Sequence, residues 1–158
     1  MKIIVIVFLL LSISLAAYFF ALGFKSKSKI PPGLHENRLS SCPDKPNCIC
    51  TEFKTDTAHY LQPIRFAEKD FDVVMPTAQR AINSMGGTIV FQNKRYIAAT
   101  FTSNVFGFVD DFEIRLDPNE YLLHFRSASR VGTGDLGINK KRAEQFIQHL
   151  NTNLPNAE

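Results

Sequence analysis

Two short stretches carry most of the side chains that can do chemistry. Asp110, Asp111 and Glu113 lie within Phe108-Val-Asp-Asp-Phe-Glu, and Arg126, Ser127, Ser129 and Arg130 lie within Arg126-Ser-Ala-Ser-Arg. Closely spaced carboxylates can act as general acid and base or hold a hard cation. Arginines interleaved with serines offer donors to a phosphate or carboxylate. Asp135, Asn139 and Arg142 follow within twelve residues, and Lys140-Lys141-Arg142 opens a helical pattern. Basic residues in a helix's first turn oppose the macrodipole, at ~0.3–1 kcal/mol each when exposed. They therefore call for an anionic partner, inside the protein or outside it.

The elements that must position these residues follow from periodicity. Phe108, Asp110, Phe112, Ile114 and Leu116 alternate with Val109, Asp111, Glu113 and Arg115, as in a half-buried strand. The segments 105–117 and 121–131 read as a hairpin across Asp117-Pro-Asn-Glu120. Pairing Asp117 with Glu120 sets Ile114 against Leu123, Phe112 against Phe125 and Asp110 against Ser127. On the other face it sets Glu113 against His124 and Asp111 against Arg126. A second hairpin is expected from 87–92 and 95–102, and a short edge strand from 59–66 with Pro63 in it. Phe71, Val74, Met75, Ala78, Ile82 and Met85 form a helical stripe, with Asp70 as N-cap and Pro76 as a kink. A last helix is expected over about 140–153, with Asn139 as N-cap. The order β-α-β-β-β-β-α predicts an α+β fold: an antiparallel sheet of about five strands covered on one face by two helices.

The N-terminus adds one element. Ile3–Phe24 is 22 residues without a charge, enough at ~1.5 Å per residue to cross a ~30 Å hydrocarbon layer. Ser14-Leu15-Ala16 resembles a cleavage site, but the apolar run continues beyond it, which favours a retained anchor over a removed signal peptide. Residues 1–29 are thus read as anchor and basic flank, 30–41 as a Pro/Gly-containing linker, and 42–158 as one domain. Lys2, Lys25, Lys27 and Lys29 are four of the 18 basic residues, which leaves 14 beyond Ile30 against 15 acidic ones. A domain this near neutrality lacks the basic surface of a nucleic-acid binder, so no nucleic-acid partner is expected.

The prolines of Cys42-Pro-Asp-Lys-Pro-Asn-Cys48-Ile-Cys50 impose turns that bring Cys42 and Cys48 near each other. A disulfide between them is the leading reading. Buried thiols are the alternative, and a metal site with His35 or His59 comes last because Cys-x-x-Cys spacing is missing. The basic flank favours a cytoplasmic domain and the cysteines an exported one. The cysteines are given the greater weight. Gly132-Thr-Gly-Asp-Leu-Gly137 matches a dinucleotide fingerprint only formally, since a helix takes most of the 21 residues left and no parallel strand can follow. No Ser-His-Asp order, Walker motif or zinc signature occurs, and neither a cofactor nor a metal is expected.

Several of these stretches together resemble one family. They are Cys42-Pro-Asp-Lys-Pro-Asn-Cys48, His59 with Pro63, Phe108-Val-Asp-Asp111 with Glu113, Arg126-Ser-Ala-Ser-Arg130-Val-Gly, and Asp135-Leu-Gly-Ile-Asn139 with Arg142. The set is similar to the family catalogued as domain of unknown function 1499, over roughly Leu34 to Leu150. Cys50 stands where the family more often shows Ser, and Gly134 looks peculiar to this chain. The resemblance implies an envelope or membrane location and no particular reaction.

The reading that follows is a membrane-anchored envelope protein, held through residues 3–24, with its domain on the periplasmic or exported side. It is expected to be a binding or accessory module whose charged pole takes an anionic small molecule, or an envelope protein as partner. That pole comprises Asp110, Asp111, Arg126, Ser127, Ser129, Arg130, Asp135, Asn139 and Arg142. The alternatives are a carboxylate-dependent hydrolase using Asp110, Asp111 or Glu113, and a structural protein-interaction domain.

Overall fold

The computed structural model describes residues 1–154, so the last four residues of the expected domain lie outside it. Helix α1 (Lys2–Lys27) is followed by a two-stranded ribbon, β1 (Leu34–His35) and β2 (Arg38–Leu39). Then come β3 (Cys48–Cys50), β4 (Ile64–Arg65), α2 (Phe71–Ser84), β5 (Thr88–Gln92), β6 (Tyr96–Thr102), β7 (Val109–Asp117), β8 (Leu122–Ser129) and α3 (Ile138–Asn153). The main sheet has six antiparallel strands in the order β3-β8-β7-β6-β5, with β4 also pairing β8. The α+β architecture is the expected one, with one more strand in the sheet.

Period-2 burial makes the sheet two-sided. On one side Phe112, Ile114, Phe125 and Leu123 meet Val74, Ile82, Ala143, Phe146 and Leu150 of α2 and α3 in one core. Phe112, Phe125 and Phe146 pack with ring centroids 5.1–6.3 Å apart, which adds to the area term. The other side carries a smaller core of Leu39, Cys50, Tyr96 and Ala98, with Leu34, Cys42 and Phe53 against it. The ribbon β1–β2 therefore covers part of that face, inside a segment read from sequence as a linker without structure.

Three local expectations are corrected. The 105–131 hairpin is offset by two residues: Ile114 pairs Phe125, Phe112 pairs Ser127, Asp110 pairs Ser129, and Glu113 pairs Arg126. The cause is the turn. Asp117 Oδ1 accepts the N–H groups of Asn119 (3.0 Å) and Glu120 (3.3 Å), and Tyr121 takes a positive φ of 54°, so Asp117 pairs Leu122 rather than Glu120. Because the offset is even, every side chain keeps its face. Secondly, the expected strand 59–66 reduces to Ile64–Arg65 and a single bridge between Tyr60 and Cys50. Pro63, which has no N–H to give a ladder, lies between the two. Thirdly, α3 begins one residue before Asn139, behind Gly137 at φ 78°. Asp135, not Asn139, serves the helix start, accepting from Gly137 N (3.0 Å) and Asn139 N (2.8 Å). At α2, Asp70 stands at the N-cap as expected but makes no capping hydrogen bond with its side chain.

Cys42 and Cys48 are joined in a disulfide, and Cys50 is a buried thiol whose pKa burial pushes up to about 11.

Candidate functional site

The residues expected to form one charged pole are divided between the two faces of the sheet. On the helix-covered face, Arg142 Nη2 donates to Asp110 Oδ2 (2.9 Å) and Nη1 donates to Asn139 Oδ1 (2.7 Å) and Ser127 Oγ (3.2 Å). Its guanidinium also lies 4.5 Å from the ring centre of Phe101. Ser127 Oγ donates to Asn139 Oδ1 (2.6 Å), and Asn139 Nδ2 is within reach of Asp135 Oδ2 (2.8 Å), Ser129 Oγ (2.9 Å) and the Asn47 carbonyl (3.0 Å). Asn139 is almost fully buried. This cluster fastens three things together: the start of α3, the end of β8 and the Pro-Asn-Cys segment. The Asn47 carbonyl also accepts the Ser129 N–H (3.0 Å). The Lys140-Lys141-Arg142 turn thus has an internal anion for its arginine.

On the opposite face Arg130 Nη2 stands 2.7 Å from Asp111 Oδ1, and Arg126 Nη1 donates to Glu113 Oε2 (3.2 Å). Asp111 does not meet Arg126, because the two-residue offset hands that arginine to Glu113. Asp110 is likewise parted from Asp111 and Glu113 by the sheet itself, so the three carboxylates share no position where a reacting atom could sit. Glu113 is fully buried; its Oε1 accepts from Tyr96 Oη (2.6 Å) and from the Gly33 N–H (3.0 Å). Burial raises its pKa against the opposing pull of Tyr96 and Arg126, and burial with the neighbouring Glu113 raises that of Tyr96.

Sequence reasoning missed two concave regions on this face, because each is closed on one side by segments read as linker or loop and on the other by strands distant in the chain. A cleft of about 1050 Å³ lies near the β7–β8 turn, lined among others by Arg38, Glu52, Lys54, Arg95, Arg115 and His124. Glu52 is buried and held by Arg115 Nε (2.6 Å), Arg38 Nε (3.1 Å) and the Leu39 N–H (3.2 Å). Burial alone would raise its pKa, but Arg115 and His124 outweigh it and hold the carboxyl below its ordinary value. His124 Nδ1 faces oxygens: Thr51 O at 3.3 Å, Thr51 Oγ1 at 3.2 Å and Glu52 Oε2 at 3.8 Å. The Thr51 hydroxyl itself points to the Phe125 carbonyl (3.3 Å). Nδ1 therefore carries the ring proton and Nε2 remains as an acceptor, and burial lowers the pKa of the imidazole. As a lining residue of the cleft, neutral His124 can accept a hydrogen bond from a ligand hydroxyl.

The second region is a groove of about 760 Å³ between the end of α1, the segment after it and strands β5–β6. Its lining combines apolar residues, among them Ile30, Pro31, Val90 and Phe91, with the basic residues Lys27, Lys29 and Arg130. Lys29 Nζ donates to the Arg130 carbonyl (2.5 Å), and Arg130 Nη1 donates to the Ser26 carbonyl (3.2 Å), so the groove is built partly from α1. Val90 and Phe91 remain about half exposed. Among the described residues no group of three or more His, Cys, Asp and Glu side chains is gathered to hold a metal ion.

The fold and these sites define an α+β domain carried behind an apolar helix that is long enough to cross a membrane, a property that anchors and signal sequences share. The family described as protein of unknown function (DUF1499) matches residues 38–150, most of the chain, and the protein belongs to that family. No curated protein matches it.

Proposed function

We propose that the protein is a membrane-anchored module of the cell envelope, with its domain on the exported side, that binds an anionic ligand bearing an apolar chain. The groove between α1 and β5–β6 carries this reading. It sets Lys27 and Lys29 beside exposed apolar side chains, where one molecule can satisfy both. The Lys27 ammonium makes no hydrogen bond among the described residues, and that of Lys29 spends one of its three donors on Arg130. Of the residues expected to form a charged pole, Arg130 lines this groove, and Asp111 holds its guanidinium from behind. The retained anchor fits the same picture: Ser26 is fully buried, and its hydroxyl accepts the Val109 N–H (2.9 Å), so the end of α1 is part of the folded domain.

Thermal unfolding of the full chain in nanodiscs tests the binding. A lysophosphatidic acid is expected to raise the midpoint by mass action. Lysophosphatidylcholine of equal chain length and inorganic phosphate should not, and Lys27→Ala with Lys29→Ala should cancel the shift. An equal shift from both lipids, or one untouched by the lysine changes, rejects the reading. Reporter fusions after Glu158 test the side of the membrane: activity of the cytoplasmic reporter alone rejects an exported domain.

A further inference from the structure

We infer that the loop between β6 and β7, around Val105–Phe108, is a membrane wedge: it enters the apolar layer beside α1 and holds the domain down at a second point. The inference rests on the reading of α1 as a membrane-spanning anchor. Phe106 packs against both Phe19 and Phe20 with ring centroids 5.2 Å apart, and Phe108 lies 6.4 Å from Phe19. These partners are not at the helix's wet end. The uncharged run closes at Phe24, and Lys25 and Lys27 follow it. Phe20 lies four residues back, about 6 Å deeper at ~1.5 Å per residue. A ring packed sideways on Phe19 and Phe20 shares their depth.

The approach is close and built into the backbone. A Cβ at Gly23 would overlap the Phe106 carbonyl, so glycine at this helical position is what lets the loop lie on the helix. The stem of Lys27 runs over Gly107, whose φ of 67° turns the chain there. Just beyond, Ser26 Oγ accepts the Val109 N–H, fixing where β7 leaves the helix. At the tip, Val105 is 69% exposed. Val105 precedes Phe106 directly, and an exposed valine there is at no cost if the loop tip meets lipid rather than water.

The chain contains no tryptophan, so Val105→Trp supplies a single reporter at an exposed position. The full-length variant is reconstituted in phosphatidylcholine–phosphatidylglycerol vesicles whose acyl chains carry bromine near the headgroup or near the bilayer centre. The expected result is blue-shifted emission quenched at least twofold by the shallow bromines and less by the deep ones. Leu136→Trp, on a fully exposed loop of the domain, should emit as in water and escape both. Phe8→Trp, inside the apolar run of α1 toward its N-terminal end, reports the anchor independently. Water-like, unquenched emission at position 105 with strong quenching at position 8 overturns the wedge and leaves the anchor standing. Lack of quenching at both positions overturns the anchor reading and the wedge with it.

Discussion

The two faces of the sheet handle charge differently. Under the helices, Arg142 is surrounded: Asp110, Asn139, Ser127 and the Phe101 ring occupy it, and Ser127 and Asn139 are themselves hydrogen-bonded to each other. On the other face the pairs Glu113–Arg126, Asp111–Arg130 and Glu52–Arg115 are just as short, but Arg130, Glu52 and Arg115 line two cavities, and the cover over this face is a ribbon of four strand residues and its flanks. Equal pairing with unequal cover separates a cluster that holds elements together from clusters that shape a surface for something else.

The sharpest way to break this contrast is to remove one arginine from each face. Arg142→Ala strands Asp110 beneath α3 and is expected to cost about 3–5 kcal/mol in urea unfolding, the range for a buried pair losing one member. Arg126→Ala strands Glu113, whose pKa burial already raises. That carboxyl can take up a proton and escape the unpaired charge, so the cost should fall at or below the lower end of that range. It should also shrink as pH is lowered from 8 to 5. Equal, pH-independent losses for the two variants would erase the distinction.

Removing the staple comes next. Cys42→Ser opens a loop with a sequence separation of 6, and a ring this short is worth about 2–3 kcal/mol through the unfolded chain. Alkylation of the native protein without reductant should label Cys50 only after unfolding; labelling at all three cysteines rules the bridge out.

A smaller effect sharpens the picture within the open face. His124 and Glu52 both have pKa values below their free ones, His124 through burial and Glu52 because Arg115 and His124 outweigh its burial. Their contribution to stability is therefore complete above the free histidine value of 6.5 and is lost as pH falls through the folded values. His124→Gln should flatten the unfolding midpoint between pH 7.5 and pH 5 relative to the parent chain; an unchanged slope assigns it elsewhere. Smallest in stability is Phe91→Ser at the groove, expected within about 0.5 kcal/mol as for other surface changes, yet expected to abolish the lysophosphatidic acid shift.

How much of this was legible in the sequence depended on whether a local pattern carried it. Strands β5 to β8 and both covering helices stood out because alternation and the helical stripe are written into consecutive residues. The faces of Asp110 and Asp111 were right for the same reason. The pairing of the hairpin was not, since an Asp117 side chain bonded to the next two amides widens the turn by two residues, and no alternation pattern records that. The cavities were invisible for a different reason. Gly33 meets Tyr96 at Glu113, and Leu39 meets Glu52, from places far apart in the chain that share no motif, because β1–β2 folds back over the sheet. His124 was visible only as a lone histidine on an outward-facing position, which ordinarily means surface. The thread between the cysteine loop and the Arg-Ser-Ala-Ser-Arg segment runs through backbone carbonyls of Asn47 and Gly132, which any residue could supply.

The hydrogen bond from the Gly33 N–H to Glu113, with Ser26 already fixed to Val109, leaves the chain between helix and sheet no slack. A flexible tether would let a domain sweep a hemisphere whose radius grows with the square root of its length. This one sweeps nothing. With α1 held in a bilayer, as proposed above, the domain would ride at a fixed height and heading. Its encounters with other membrane-held species would then be two-dimensional, and their frequency would follow surface density rather than concentration in the surrounding compartment.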